Sequence, residues 1–332
     1  ATLKPDVITL DLEMEQMDAL GFLSKLMKQR PMPVVVVSSA GVCNSKAGLK
    51  ALKLGATEIV IKPGSADDDS RYAHRYSVRD IVRPLARAIR AAAAANLTQN
   101  QSAPTKPKSA AKETPTEYQT PLPKPKPTES NATSSVESSE SKVPRSVLAI
   151  GASTGGPRAI ETLLKGMPAT APGILIVQHM PAGFTAAFAA RLNKVCTIEV
   201  REAADGDSVL PGVALIAPGN RHLHLDLGGG GYIVRVKNGP AVQFHRPSVD
   251  VLFQSVARSA GPHAIGALLT GMGRDGAKGL LAMNRSGAHT LAQDEASSVV
   301  FGMPGEAVKM GAATRVVPLS GMCQAILEFL QN

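Results

Sequence analysis

The stretch Val147-Leu148-Ala149-Ile150-Gly151-Ala152-Ser153-Thr154-Gly155-Gly156-Pro157 runs from an apolar segment into a turn of small residues and then into a proline. An apolar run of this length bounded by glycine suits a strand buried on both faces, and the proline suits the first turn of a helix. Strand, tight turn and helix together are the repeating unit of a parallel sheet. Gly151-x-Ser153-x-Gly155 falls on the turn itself, where small residues permit a sharp bend that exposes the serine hydroxyl near the helix amides. By itself the loop fits three readings: a serine nucleophile, a loop that holds an anion, or tight packing of strand on helix. It is not the G-x-G-x-x-G dinucleotide fingerprint, nor a Walker loop, since no Lys follows.

Outward from this stretch the alternation continues to the C-terminus. Residues 174–177, 213–217, 264–270, 289–292 and 314–317 are strand candidates, most of them followed by a glycine-rich turn and a helical pattern. This predicts a doubly wound, mainly parallel α/β domain over 146–332, with ligands outside the carboxyl ends of its strands. Upstream, residues 7–10, 34–37 and 58–61 read as three more buried strands. They alternate with helical spacing over 17–30 and 45–54 and precede a helix over 77–95, so 1–95 forms a smaller α/β unit. Between the two, 96–145 holds 8 of the 24 prolines and is rich in Ser and Thr. Such a segment cannot bury enough apolar surface to offset its entropy and is predicted to be a disordered linker. The alternate prolines at 121–127 suit an SH3-like partner, although a spacer is the plainer reading.

Composition narrows the function classes. The 332 residues suit two domains, and the formal charge of +9 is spread over all three segments rather than concentrated in one. With 4 Tyr, 7 Phe and no Trp the chain lacks stacking platforms, which argues against nucleic acid as a partner. Cys43, Cys196 and Cys323 share no C-x-x-C spacing, so neither a disulfide framework nor a zinc knuckle is expected, and a cytoplasmic setting fits. No apolar run reaches the roughly 18 residues of a membrane span, which argues against an integral membrane protein.

Two further stretches carry chemistry. His179 lies just past the apolar run 174–177, at the sheet edge where Ser153 also falls, so a bond from Ser153 to His179 is geometrically allowed. Asp275 sits in the glycine-rich loop Thr270-Gly271-Met272-Gly273-Arg274-Asp275-Gly276, either orienting His179 or capping the helix that follows. Asp250, in Arg246-Pro247-Ser248-Val249-Asp250, is the second carboxylate candidate. His222 and His224 alternate along an exposed-looking strand, and His74, His245, His263 and His289 lack a comparable strand-end placement. A serine, a histidine and an aspartate at three strand ends make an acyl-transfer site, in an order that differs from the Ser…Asp…His of the α/β-hydrolases.

Taken together, Gly151 to Pro157, Gln178-His179-Met180-Pro181, Ala217-Pro218-Gly219, Arg246 to Asp250 and Thr270 to Ala277 resemble the CheB-type chemotaxis methylesterases, which are response-regulator enzymes. The resemblance implies Ser153 as nucleophile, His179 as general acid and base, Asp275 as its orienting carboxylate and the backbone amide near Met272 as an oxyanion donor. It implies hydrolysis of glutamate γ-methyl esters and deamidation of glutamines on methyl-accepting chemoreceptors, with no cofactor for catalysis. Residues 1–95 resemble part of a receiver domain. Asp11 matches the phosphoacceptor, Ser38 or Ser39 the switch hydroxyl and Lys62 the phosphoryl-contacting lysine, with a chemotaxis histidine kinase as phosphodonor and Mg²⁺ required in an intact receiver. The three βα units here lack the receiver's first strand and its acidic pair. Glu15 and Ala19 stand where the family usually has Pro and Gly, and in an intact chain the receiver is expected to pack over the Ser153 crevice until phosphorylation of Asp11 shifts it away.

Overall fold

A computed structural model of the chain describes residues 4–39, 46–62, 78–95 and 146–331. The segment 96–145, with its alternate prolines, lies outside the described residues, as does Cys43.

Strands β1 (Ile8–Asp11), β2 (Val34–Ser38) and β3 (Glu58–Ile61) form a parallel sheet in that order. The valine run makes β2 the centre strand because β-branched residues tolerate cover on both faces. On one face Val34 and Val36 meet Leu23 of α1 (Ala19–Gln29) and Ala51 of α2 (Lys46–Leu54). On the other, Val35 and Val60 meet Ala88 and Ala92 of α3 (Val78–Ala93). The helical pattern that begins at residue 17 becomes a helix only at Ala19, because the Asp18 carboxylate accepts the Gly21 N–H and caps it.

The second sheet has seven strands, all parallel: β4 (Val147–Ala152), β5 (Gly173–Gln178), β6 (Glu199–Glu202), β7 (Val213–Ile216), β10 (Ala264–Leu268), β11 (His289–Gln293) and β12 (Arg315–Val317). Their order is β12-β11-β10-β4-β5-β7-β6. Alternate residues of β4 enter two cores, as the period of a strand requires. Leu148 and Ile150 pack with Ile160 and Leu164 of α4 (Gly156–Lys165), Phe188 of α5 (Phe184–Asn193) and Ile326 of α9 (Leu319–Gln331). Val147 and Ala149 pack with Phe253 of α6 (Val249–Ser259), Leu280 of α7 (Ala277–Arg285) and Ala307 of α8 (Met303–Lys309). Each large side chain buried in this way contributes about 1.5–3 kcal/mol, so the sheet holds its strand ends rigidly.

An antiparallel hairpin, β8 (His222–Gly228) and β9 (Gly231–Lys237), stands apart from this sheet. The expectation of an exposed strand around His222 is corrected. Leu223, Leu225 and His222 are buried, and the Ser255 hydroxyl of α6 accepts the Leu225 N–H (2.9 Å) while donating to Leu252 O (2.6 Å). The hairpin covers α6 instead of facing water. Within the large sheet, the chain leaves β4 for β5 on one side and later returns to β10 on the other. The β4/β10 boundary is therefore the switch point, where a crevice opens at the carboxyl ends of the strands.

Candidate active site

Ser153 follows β4 at that switch point and is 5% exposed. Its N–H donates to Thr270 O (3.0 Å), which ties it to the end of the β10 segment. Its own carbonyl accepts from Gly156 N–H (2.8 Å) and from the buried Gln178 side-chain amide (2.9 Å). The turn into α4 requires φ of +78° at Gly155, and a Cβ there would lie 2.6 Å from Val299. Only glycine satisfies both conditions. Gly271 makes the matching approach from the other side, since a Cβ on it would meet the Ser153 Cβ at 2.8 Å. Met272, half-buried, is the next residue of that loop.

His179 follows β5, with its N–H on Ala152 O (3.1 Å). Its Nε2 lies 2.8 Å from Asp275 Oδ2. The Asp275 carboxylate is fully buried and also accepts the Ser248 hydroxyl (2.8 Å), Val249 N–H (2.8 Å) and Asp250 N–H (3.0 Å). Burial alone would raise its pKa. The hydrogen bond and charge of His179, with the amides at the start of α6, outweigh burial and hold it at about 2. An ionised Asp275 assigns the proton on His179 to Nε2 and leaves a lone pair on Nδ1. That Nδ1 is buried and has no hydrogen-bond partner among the described residues, so the bond that strand-end placement allows from Ser153 to His179 is not formed in this arrangement.

The two capping readings are resolved by exchange. Asp275 binds the first turn of α6, not of the α7 that follows it, and Asp250 accepts from Gly276 N–H (3.0 Å) and Gly279 N–H (2.7 Å) at the start of α7. Burial pushes the Asp250 carboxyl up. Asp250 does not touch His179.

His245 is a neighbour of the site that strand-end reasoning misses. Its ring stacks on His179 with centroids 3.7 Å apart and planes 7° apart, and its Nδ1 is 3.9 Å from Asp275 Oδ2. Its Nε2 accepts from the Arg87 guanidinium of α3. Burial, then the charges of His179 and Arg87, bring its pKa down to about 2, so it is neutral. The available signal was its position directly before Arg246-Pro247-Ser248. His179, His245 and Asp275 bring donor atoms within 4.8 Å of one another, a set that suits a transition metal, but the Asp275 oxygens already serve His179 and the α6 amides.

The small domain closes the crevice. Thr154, beside Ser153, donates its hydroxyl to Glu58 of β3 (3.1 Å), and Arg87 lies 3.8 Å from the other Glu58 oxygen. Burial pushes the Glu58 carboxyl up, with Arg87 opposing. The half-open cavity, about 310 Å³, is lined by Glu58 and Arg87 from one domain and by Ser153, His179 and His245 from the other. At the far edge of the small sheet, the Lys62 Nζ contacts Asp11 (2.6 Å) and Glu13 (3.2 Å). Ser38 and Ser39 do not reach Asp11; both hydroxyls bond Glu13, and Ser39 N–H donates to it as well (2.7 Å). The Ser39 hydroxyl and amide are the main reasons that Glu13 falls to about 2.

A hydroxyl, an imidazole and a buried carboxylate at the switch point of a doubly wound sheet define an α/β protein built for acyl transfer. Residues 148–326 match the CheB methylesterase family and residues 1–69 the response regulator receiver domain, and the chain belongs to the CheB methylesterase family. It is 48% identical over 325 residues to a protein-glutamate methylesterase/protein-glutamine glutaminase of Rhizobium johnstonii, covering 97% of this chain and 85% of that protein. The counterpart of the same name in Escherichia coli is also 48% identical, over 97% of this chain and 83% of its own. The crystal structure of the Thermotoga maritima CheB methylesterase catalytic domain is 36% identical with a TM-score of 0.54, covering 55% of this chain and 97% of that one. Among the described residues no helix is long and apolar enough to cross a membrane.

Proposed function

We propose that this chain hydrolyses glutamate γ-methyl esters and deamidates glutamines on methyl-accepting chemoreceptors, with Ser153, His179 and Asp275 as its catalytic residues. The observation that carries the reading is the His179 to Asp275 bond, which leaves the unpartnered Nδ1 as the basic nitrogen in the crevice that holds Ser153. Rotation of the Ser153 hydroxyl onto Nδ1 completes the relay. The Ser153 Oγ attacks the acyl carbon as its proton passes to Nδ1, and ionised Asp275 stabilises the imidazolium. The backbone amide near Met272 holds the oxyanion. The imidazolium then protonates the departing methoxide or amine, and methanol or ammonia leaves an acyl-Ser153 ester that water hydrolyses through the same histidine. Ser153→Ala is expected to stop methanol release from methylated receptor while the fold persists. Undiminished release would refute the assignment.

The alternative in which the Gly151 to Pro157 loop holds an anion is not favoured. Gly156 N–H is already spent on Ser153 O and Ala159 N–H on Gly155 O (3.2 Å), so the turn keeps few amides for a ligand.

Regulation follows from the small domain's seat. Asp11 is the phosphoacceptor, with a histidine kinase as donor, and Lys62 contacts the phosphoryl oxygens. Asp11, on Lys62, would give Mg²⁺ a carboxylate oxygen of the kind it takes, whereas the Glu13 oxygens already serve Ser38, Ser39 and Lys62. When bound, the ion would neutralise charge on the incoming phosphoryl group. Phosphorylation shifts β3 and α3 away from Thr154 and His245 and opens the crevice to the receptor.

A further inference from the structure

Val242, Gln243, Phe244 and His245 form a two-residue hairpin turn at the rim of the crevice. Val242 N–H donates to His245 O (3.0 Å) and His245 N–H to Val242 O (2.9 Å). Both central residues have positive φ, 49° at Gln243 and 68° at Phe244. Turns of this form favour Asn, Asp and Gly, and a glutamine followed by a phenylalanine is an uncommon occupant. The strain is held by specific bonds. Gln243 donates its side-chain amide to Asp250 Oδ2 (2.6 Å) and accepts from Arg274 Nε (3.1 Å), while His245 lies flat on His179. The flanking side chains are thus committed inward. Phe244 alone turns outward, 88% exposed, the most exposed large apolar side chain among the described residues, yet it lines the same cavity as Ser153.

A strained turn that displays an aromatic ring beside a reacting serine is unfavourable in the free protein and gains only when the ring is covered. We propose that Phe244 docks the substrate, packing against an apolar side chain of the receptor segment that carries the ester or amide and holding that segment over Ser153. The proposal rests on the methylesterase reading above and deepens it. Position identifies the occupant. Ser153 is 5% exposed at the base of the crevice and Phe244 lines the same crevice at its rim, so a segment that presents an ester to Ser153 crosses the rim where Phe244 stands. Among the described residues the small domain is not the occupant, since Glu58 and Arg87 meet Thr154 and His245 and leave Phe244 exposed. A methyl ester offers little surface for recognition, which leaves the task to its flanks.

The test is steady-state methanol release from methylated receptor by the full chain and its Phe244→Ala, Phe244→Leu and Phe244→Gly variants. Phe244→Ala is expected to raise KM about tenfold with kcat at saturating receptor unchanged, and Phe244→Leu to recover most of the loss. Phe244→Gly relieves the positive φ, so it should unfold at a higher temperature than the wild type while showing the same raised KM. A wild-type KM in the alanine and glycine variants, or a loss confined to kcat, overturns the proposal and leaves the Ser153 assignment standing. Absence of methanol release from the wild type itself overturns both.

Discussion

Asp250 and Asp275 cap each other's helices. Asp275 lies one residue short of α7, before Gly276, but accepts from the first amides of α6, and Asp250 on α6 accepts from the first amides of α7. The carboxylate proposed to orient His179 is thereby locked by the helix on which its counterpart sits. Asp250→Ala strips the acceptor from two buried amides at Gly276 and Gly279 and is expected to cost about 1–3 kcal/mol. Urea unfolding measures it, and Asp250→Asn, which keeps one acceptor oxygen, should recover part of the loss.

Asp275→Asn preserves shape but removes the charge that fixes the His179 proton on Nε2. An amide at this position can present its NH₂ to the ring and reverse the tautomer, so kcat is expected to fall by about 10⁴-fold with the fold retained. Methanol release set beside the circular dichroism of the same sample checks both halves of this expectation.

His245 ties stability to pH. Its pKa is about 2 in the folded chain and about 6.5 when unfolded, so between those values the unfolded state binds a proton that the folded state refuses. Its contribution is complete above about pH 6.5 and is lost as pH falls toward 2. Asp275, held at about 2 against an unfolded value of about 3.9, acts in a lower window, contributing above about pH 4 and fading as pH falls through 2. The chain should therefore lose stability from about pH 6.5 downward, and His245→Phe, neutral throughout, should flatten the profile between about pH 4 and 6. Parallel profiles for the two proteins would assign that slope to other groups.

Arg87 is the cation shared by Glu58 and His245 at the seat of the small domain. Arg87→Ala leaves Glu58 facing Thr154 without its compensating charge and weakens the seat. Methanol release without phosphodonor is expected to rise about fivefold, which corresponds to ~1 kcal/mol in the open–closed balance. Initial rates identical to those of the wild type would mean that this contact does not hold the crevice shut.

The parts of the site that lie at strand ends were legible in the sequence because each is announced by an apolar run ending in glycine, as at Ser153 and Asp275, or in a short polar stretch, as at His179. The βαβ alternation was legible for the same reason. His245 was not, since it sits on a two-residue turn that no strand precedes and reaches His179 only because β5 and the loop before α6 meet in space. The exchange between Asp250 and Asp275 was hidden because an aspartate before a helix looks the same in sequence whether it caps that helix or a neighbour. Strand β6 escaped because Glu199-Val200-Arg201-Glu202 lies at the sheet edge, where alternate charged side chains reach water and no apolar run forms. Ser38 and Ser39 were placed on the right strand end, but the hydroxyls turn to Glu13, a choice set by side-chain reach.

The cavity between Glu58, Arg87, Ser153 and His179 belongs to both domains at once, and this has a pharmacological consequence. A small molecule filling it would touch the two halves only while they are together, so its binding energy would add to the closed state and oppose opening by linkage. Such a compound would act as a glue as well as a competitor, and, on the proposed regulation through Asp11, its potency would fall on phosphorylation, making inhibition strongest in cells whose signalling pathway is at rest.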